Sequence, residues 1–208
     1  MTRRPAIATP RAAGGPACGV GAGSMLSVNP SVGQKLGYAY QHDFPPGSIA
    51  ARAPLYLAVH PKVPAHNLTE FSALVRTQPG TLNYGSSGIG STHHLTMEAM
   101  KVALGLDIKH IPFKGSGQSV PALISGQVEV AFAALPSLSG FIKSGKVRLL
   151  ANNSARRSSQ APDVPTLSAI IPGFDFAPLL GLFSSTGPPT SALERLSREV
   201  PDVAKAPA

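Results

Sequence analysis

From residue 54 to residue 154 the chain alternates short apolar runs with segments of helical spacing, most of them closed by glycine or proline. PLYLAVHP (54–61) is an apolar run bounded by prolines, a strand or an interdomain crossing. In NLTEFSALVRTQPG, Leu68, Phe71, Leu74 and Val75 fall at helical spacing and Pro79-Gly80 stops the helix. TLNYG (81–85) reads as a short strand. Thr92 to Leu104 reads as a helix, with Leu95, Ala99 and Val102 on one face and Gly105 past its end. Then follow a strand at 107–113, a helix from Gln118 to Ser125, a strand at 128–135, a helix from Pro136 to Ser144 and a strand at 146–154. This β-α-β-α-β-α-β order predicts a parallel sheet with helices on its faces. Such sheets take ligands outside the carboxyl ends of their strands. Three junctions are therefore expected along one edge: YGSSGIGST (84–92), PFKGSGQ (112–118) and AALPS (133–137).

The first junction is dense in glycine and serine. Glycine lets a ligand approach the main chain closely. The first turn of the following helix carries unpaired N–H groups at the positive end of its dipole. The combination suits an anion, with the hydroxyls of Ser86, Ser87, Ser91 and Thr92 as further donors. The same residues also suit a plain strand-to-helix turn with a Ser/Thr cap. Lys114 stands at the end of a strand and either offsets ligand charge or is one more surface lysine. No lysine follows the glycines as a P-loop requires, and Gly88-Ile89-Gly90 is followed by Ser91-Thr92-His93, so the dinucleotide fingerprint is missing. The nucleophile elbow needs glycine where Ile89 stands. No catalytic constellation and no cofactor motif is found. His93 and His94 diverge by about 100° on a helix, so only one is expected to face the loop, in a capping or solvated role. His93, His94 and His110 do not fall in a zincin pattern.

The chain has 208 residues, 43% hydrophobic and 13% charged, with a formal charge of +8. Its basic residues are scattered and its aromatics few, which argues against a nucleic-acid partner. Cys18 is the only cysteine, so no intrachain disulfide forms. No apolar run reaches the roughly 20 residues of a membrane helix. The first 24 residues carry arginines but lack an unbroken apolar stretch. GPAC at 15–18 is a poor lipoprotein cleavage box, and a disordered or degenerate leader is the simpler account.

LNYGSSGIGSTHHLTMEAMKVALGLDIKHIPFKGSGQSVPALISGQVEVAF, with the stretches at 27–61 and 142–176, resembles the substrate-binding receptors of tripartite tricarboxylate transporters, also called Bug-type periplasmic binding proteins. The resemblance covers about residues 25–200. It implies an α/β fold like that of periplasmic binding proteins of type II, a Venus flytrap, here with one complete parallel-sheet lobe and remnants of the other. It also implies a periplasmic, non-enzymatic receptor that traps a small carboxylate and delivers it to the membrane permease subunits of the transporter. Ligand contacts carried over in this way fall on Ser86, Ser87, Gly88, Gly90, Ser91, Thr92, Phe113, Lys114 and Gly115. Phe113 replaces the tyrosine usual in that turn, and Ala133 stands where the family usually has aspartate. The expected organisation is a leader at 1–24, a remnant of lobe 1 with the first crossing at 25–61, lobe 2 at 62–178, and a second crossing with a C-terminal helix at 179–208. The apolar runs 54–61 and 177–189 are expected to pair at a hinge. Family members are longer, so an N- and C-terminally shortened receptor with weakened binding is expected. The alternatives are a lobe kept as a non-transport interaction module and, behind it, an α/β hydrolase.

Overall fold

A computed structural model describes residues 18–22 and 46–184, together with Ser191, Glu194, Arg195, Arg198 and Glu199. The elements are β1 (Cys18–Ala22), β2 (Pro46–Arg52), β3 (Leu55–Val59), α1 (Leu68–Thr77), β4 (Asn83–Ser86), α2 (Thr92–Leu104), β5 (Lys109–Pro112), α3 (Ser116–Ile124), β6 (Val130–Ala134), α4 (Leu135–Lys143), β7 (Arg148–Asn152), a single 3-10 turn (Leu167–Ala169) and β8 (Leu179–Ser184). They form two compact units, Met1–Ala53 with Pro178–Ala208, and Pro54–Ala177.

In the first unit β1, β8 and β2 form an antiparallel sheet in that order. Cys18–Ala22 therefore form a strand inside the stretch expected to be a disordered leader. The rest of that leader, residues 23–45 and residues 185–190 lie outside the described residues. Residues 191, 194, 195, 198 and 199 are helical, in the stretch where a C-terminal helix is expected.

The second unit holds a five-stranded sheet in the order β5-β4-β6-β3-β7. β4 runs parallel to β5 and to β6. β3 is antiparallel to both β6 and β7, so β7 has the direction of the other three. The four strands of the sequence alternation are thus parallel as expected, but the sheet is mixed. β3 enters without a crossover helix and is free to run the other way. The chain passes between the two units at Ala53–Pro54 and Ala177–Pro178, at the start of both apolar runs, but the runs do not pair with each other: β3 takes β6 and β7 as its neighbours and β8 takes β1 and β2. The LYLAV of β3 is buried on both faces, with Leu55, Leu57 and Val59 on one side and Tyr56 and Ala58 on the other. A strand covered on both sides reads as a continuous apolar run, which is why this segment resembled a crossing.

Two helical layers cover the sheet. Phe71 and Val75 of α1 and Met97 and Met100 of α2 pack with Tyr84, Phe132 and Leu150 on one face. Val120 and Leu123 of α3 and Leu138 of α4 pack with Tyr56, Ala131 and Ala133 on the other. Each fully buried large side chain contributes about 1.5–3 kcal/mol by removing apolar surface from water. The buried face of α2 is Thr96, Met97 and Met100, whereas Val102 is 83% exposed. Of the expected stripe Leu95, Ala99 and Val102, only Ala99 is partly buried against this core. α1 starts where Asn67 accepts a hydrogen bond from the Glu70 amide (2.8 Å) and the Glu70 carboxylate accepts one from the His66 amide (2.7 Å), a reciprocal cap.

Asn153, directly after β7, is buried and holds three segments. Its Oδ1 accepts from the Leu55 amide (2.8 Å), and its Nδ2 donates to the Phe176 carbonyl (2.9 Å) and to Thr96 Oγ1 (3.4 Å). The start and the end of the unit are thereby fastened to one side chain.

Candidate functional site

Because β5, β4 and β6 are parallel neighbours, their carboxyl ends place the three expected turns along one edge, the glycine/serine turn in the middle. The first and second turns are laced together. The Phe113 amide donates to the Ser86 carbonyl (3.0 Å) and the Gly115 amide to the Ser87 carbonyl (3.1 Å). Phe113 itself is half-buried against the α3 side of the core. Lys114 is exposed, its backbone amide donates to Gln118 Oε1 (3.1 Å), and its ammonium has no ion-pair partner among the described residues.

The serines are more occupied than their sequence suggests. Ser86 is fully buried, and its hydroxyl meets His110 Nε2 (2.7 Å) while accepting from the Gly88 amide (3.1 Å). Ser87 Oγ shares a hydrogen bond with His93 Nδ1 (2.8 Å). Ser91 caps α2, accepting from the His94 amide (3.3 Å) and donating to the Gly88 carbonyl (2.7 Å). Gly90, at φ +78°, aims its amide at His94 Nδ1 (3.2 Å). These bonds brace the loop. They leave the amides of Thr92 and His93, at the first two helical positions, without an intrahelical acceptor. The Thr92 hydroxyl has no hydrogen bond among the described residues, and the Ile89 amide is likewise unused. The site is therefore a set of bare main-chain donors at a helix N-terminus.

Both histidines of the pair touch the loop, not one. The loop wraps around the start of α2, so Ser87 meets the ring of His93 on one side and Gly90 meets His94 on another. Beneath it, Tyr84, His110 and His94 form a stack, with ring centroids 4.7 Å and 4.3 Å apart. Tyr84 donates to Glu98 Oε1 (2.5 Å), which also takes Lys101 Nζ (2.8 Å). Sequence reasoning missed this stack. Its signal was the strand register, since Tyr84 and His110 are direct partners on β4 and β5. Ser87 with His93 is a nucleophile–base pair in outline, but no carboxylate orients that imidazole among the described residues.

The electrostatics of the support are acid-sensitive. Burial holds the His93 imidazole below its ordinary value of 6.5, and burial together with the neighbouring His94 does the same for His110. Burial alone would raise Glu98, but hydrogen bonds from Lys101 and Tyr84 hold it below its usual value. The unfolded chain takes up imidazole protons near 6.5, and the folded chain does so only at lower pH. Stability from these groups is therefore complete above about 6.5 and is lost as pH falls below it. The melting temperature is expected to fall between about pH 7 and pH 5, and a second loss through Glu98 is expected below about 4.5. Thermal melts across this range check it. A flat profile from about pH 7.5 to 5.5 overturns the assignment.

A family model described as "Tripartite tricarboxylate transporter family receptor" matches residues 7–208. The chain belongs to this family. This chain is 36% identical over 157 residues to a UPF0065 protein of Bordetella pertussis, covering 75% of this chain and 49% of that protein. It is 30% identical over 176 residues to BugT of the same organism, covering 84% of this chain and 54% of BugT. The chain thus spans about half the length of the curated relatives it matches. Among solved structures, Rpa4515 of R. palustris with adipate superposes with a TM-score of 0.82 at 30% identity, covering 87% of this chain and 61% of that one. MatC from Rhodopseudomonas palustris with bound malate gives 0.77 at 26% identity, covering 90% and 64%. The fold is that of the periplasmic binding proteins.

Proposed function

We propose that this chain is the ligand-binding part of an extracytoplasmic receptor for small carboxylates, which hands its ligand to the membrane permease of a tripartite transporter. The unit Pro54–Ala177 acts as one lobe of a Venus flytrap and the strands of the other unit belong to the second lobe. The observation that carries the reading is the braced loop 86–92, whose bare amides lie at the carboxyl edge of the sheet. Family membership supports it, as do the related structures described with adipate and malate. Ser86, Ser87 and Ser91 shape the loop. Gly88 and Gly90 shape it with them, their amides already bonded to Ser86 Oγ and His94 Nδ1, while Thr92 with Ile89 and His93 presents the bare main-chain donors, and Phe113, Lys114 and Gly115 form the neighbouring wall. No helix among the described residues is long and apolar enough to cross a membrane.

The test is ligand-observed NMR and calorimetry on the 208-residue chain with adipate, malate and the uncharged adipamide. Both acids are expected to bind and the diamide to fail. Affinity is expected to weaken as salt is raised, because the site attracts charge without burying a counter-ion. Absence of binding by every carboxylate up to about 10 mM, a free energy of only about −2.7 kcal/mol, sinks the reading.

A further inference from the structure

His93, His94 and His110 each meet a different residue of the loop, and the bonds are not alike. Ser87 Oγ faces His93 Nδ1 at 2.8 Å, and Ser86 Oγ faces His110 Nε2 at 2.7 Å. A hydroxyl either donates or accepts, so both of these bonds survive whichever way the imidazole holds its protons. The bond to His94 lacks that freedom. Here the Gly90 main-chain amide donates to Nδ1 at 3.2 Å. An amide N–H only donates, so this Nδ1 is the bare nitrogen of a neutral ring whose proton sits on Nε2. An imidazolium carries N–H on both nitrogens and has no acceptor left for Gly90. Gly90, at φ +78°, stands between the unused Ile89 amide and Ser91, the cap of α2. The bond therefore fixes the peptide unit in the middle of the bare donors.

The surroundings of His94 oppose a proton on it. Its ring is stacked on His110 of β5, with centroids 4.3 Å apart, and His110 is stacked in turn on Tyr84 of β4. On α2 itself, Lys101 adds a cation beside the stack, its ammonium 5.5 Å from the centre of the Tyr84 ring. Glu98, the anion of this group, is already held by Tyr84 and Lys101. We infer that His94 is a positioning residue for the ligand loop: its neutral imidazole holds Gly90 in the anion-binding shape, and protonating it frees the loop and releases the ligand. This deepens the proposed function and rests on it. Histidine changes charge between about pH 5 and 8. The contribution of His94 to affinity is therefore complete above that range and lost as pH falls through it. Attraction of the bound carboxylate to an imidazolium acts the other way. The ring lies beneath the loop whereas the amides touch the ligand, so the shape of the loop decides the sign.

The test measures adipate affinity by calorimetry on the full chain from about pH 7.5 to 5.5, with His94→Asn and His94→Leu beside it. An asparagine amide oxygen occupies the place of Nδ1 and accepts the same bond, but it does not titrate. The unaltered chain is expected to weaken at least about fivefold as the pH falls across this range. His94→Asn is expected to bind within about threefold of it at the higher pH, and to change by no more than about twofold on acidification, the share that belongs to the ligand's own titration. His94→Leu, with no acceptor, is expected to lose at least about tenfold at the higher pH. Affinity of the unaltered chain that stays level or tightens in acid, one pH profile shared with His94→Asn, or full affinity in His94→Leu overturns this inference and leaves the carboxylate receptor standing. So does His94→Asn that is folded by circular dichroism yet takes no adipate. Failure of the unaltered chain to bind adipate or malate at any pH removes both.

Discussion

Replacing Asn153 by leucine is expected to lower the unfolding free energy by about 3–5 kcal/mol, more than any surface change in this chain. Leucine has a similar volume, so the loss comes from hydrogen bonding and not from a cavity. The Leu55 amide loses its acceptor and the Thr96 hydroxyl a donor in a place closed to water, and the part-buried Phe176 carbonyl loses a donor as well. Each stranded group costs about 1–3 kcal/mol. An exposed cap such as Asn67 is worth only about 1 kcal/mol, which sets the scale. Urea titration monitored by circular dichroism measures the change, with the midpoint falling at constant slope. A loss under about 1 kcal/mol would show that the clasp between the two ends of the unit carries little.

The second large effect falls on binding. Gly90→Ala places a methyl group on a backbone held at φ +78°. Gly145→Ala does the same at φ +68°, past the end of α4, where nothing stands within 4 Å of the added carbon. Each substitution costs about 1–2 kcal/mol of stability from the left-handed backbone alone. Only Gly90 sits in the loop, and relaxing its strain turns the amide away from His94 Nδ1 and disturbs the cap at Ser91. Gly90→Ala is expected to lower adipate affinity at least about tenfold, and Gly145→Ala to leave it within about twofold. Equal binding by the two variants separates the loop's shape from ligand capture and removes the central claim about the site.

Much of the second unit was legible. Leu68, Phe71 and Val75 mark α1 and are buried in it, and Pro79-Gly80 ends it close to the expected place. α2 begins and ends at Thr92 and Leu104 as its cap serine and terminal glycine predict. Ambiguity remained where two solutions share one pattern. PLYLAV carries no period, so the sequence left it as a strand or a crossing between domains; it is a strand buried on both faces, and it begins where the chain passes into the second unit. On α2, two stripes are both apolar enough to be buried, and only the sheet beneath decides that Met97 and Met100 turn inward. The loop's position was legible, but its internal wiring was not. Whether the Ser86 hydroxyl meets a ligand or His110 depends on the register of β4 against β5, a long-range fact.

The reversed strand β3 has a consequence for synthesis. β3 leaves the ribosome first among the strands of its unit, yet it is completed by β6 and β7. Its Leu55 meets Asn153 across 98 residues of chain. At translation rates of about 5–20 residues per second, that is roughly 5–20 seconds with a two-sided apolar ribbon unsheltered. Prolines at 54 and 61 flank the ribbon, and proline is the residue least compatible with adding neighbouring strands. The nascent chain is most open to self-association in that interval, and those two prolines guard it.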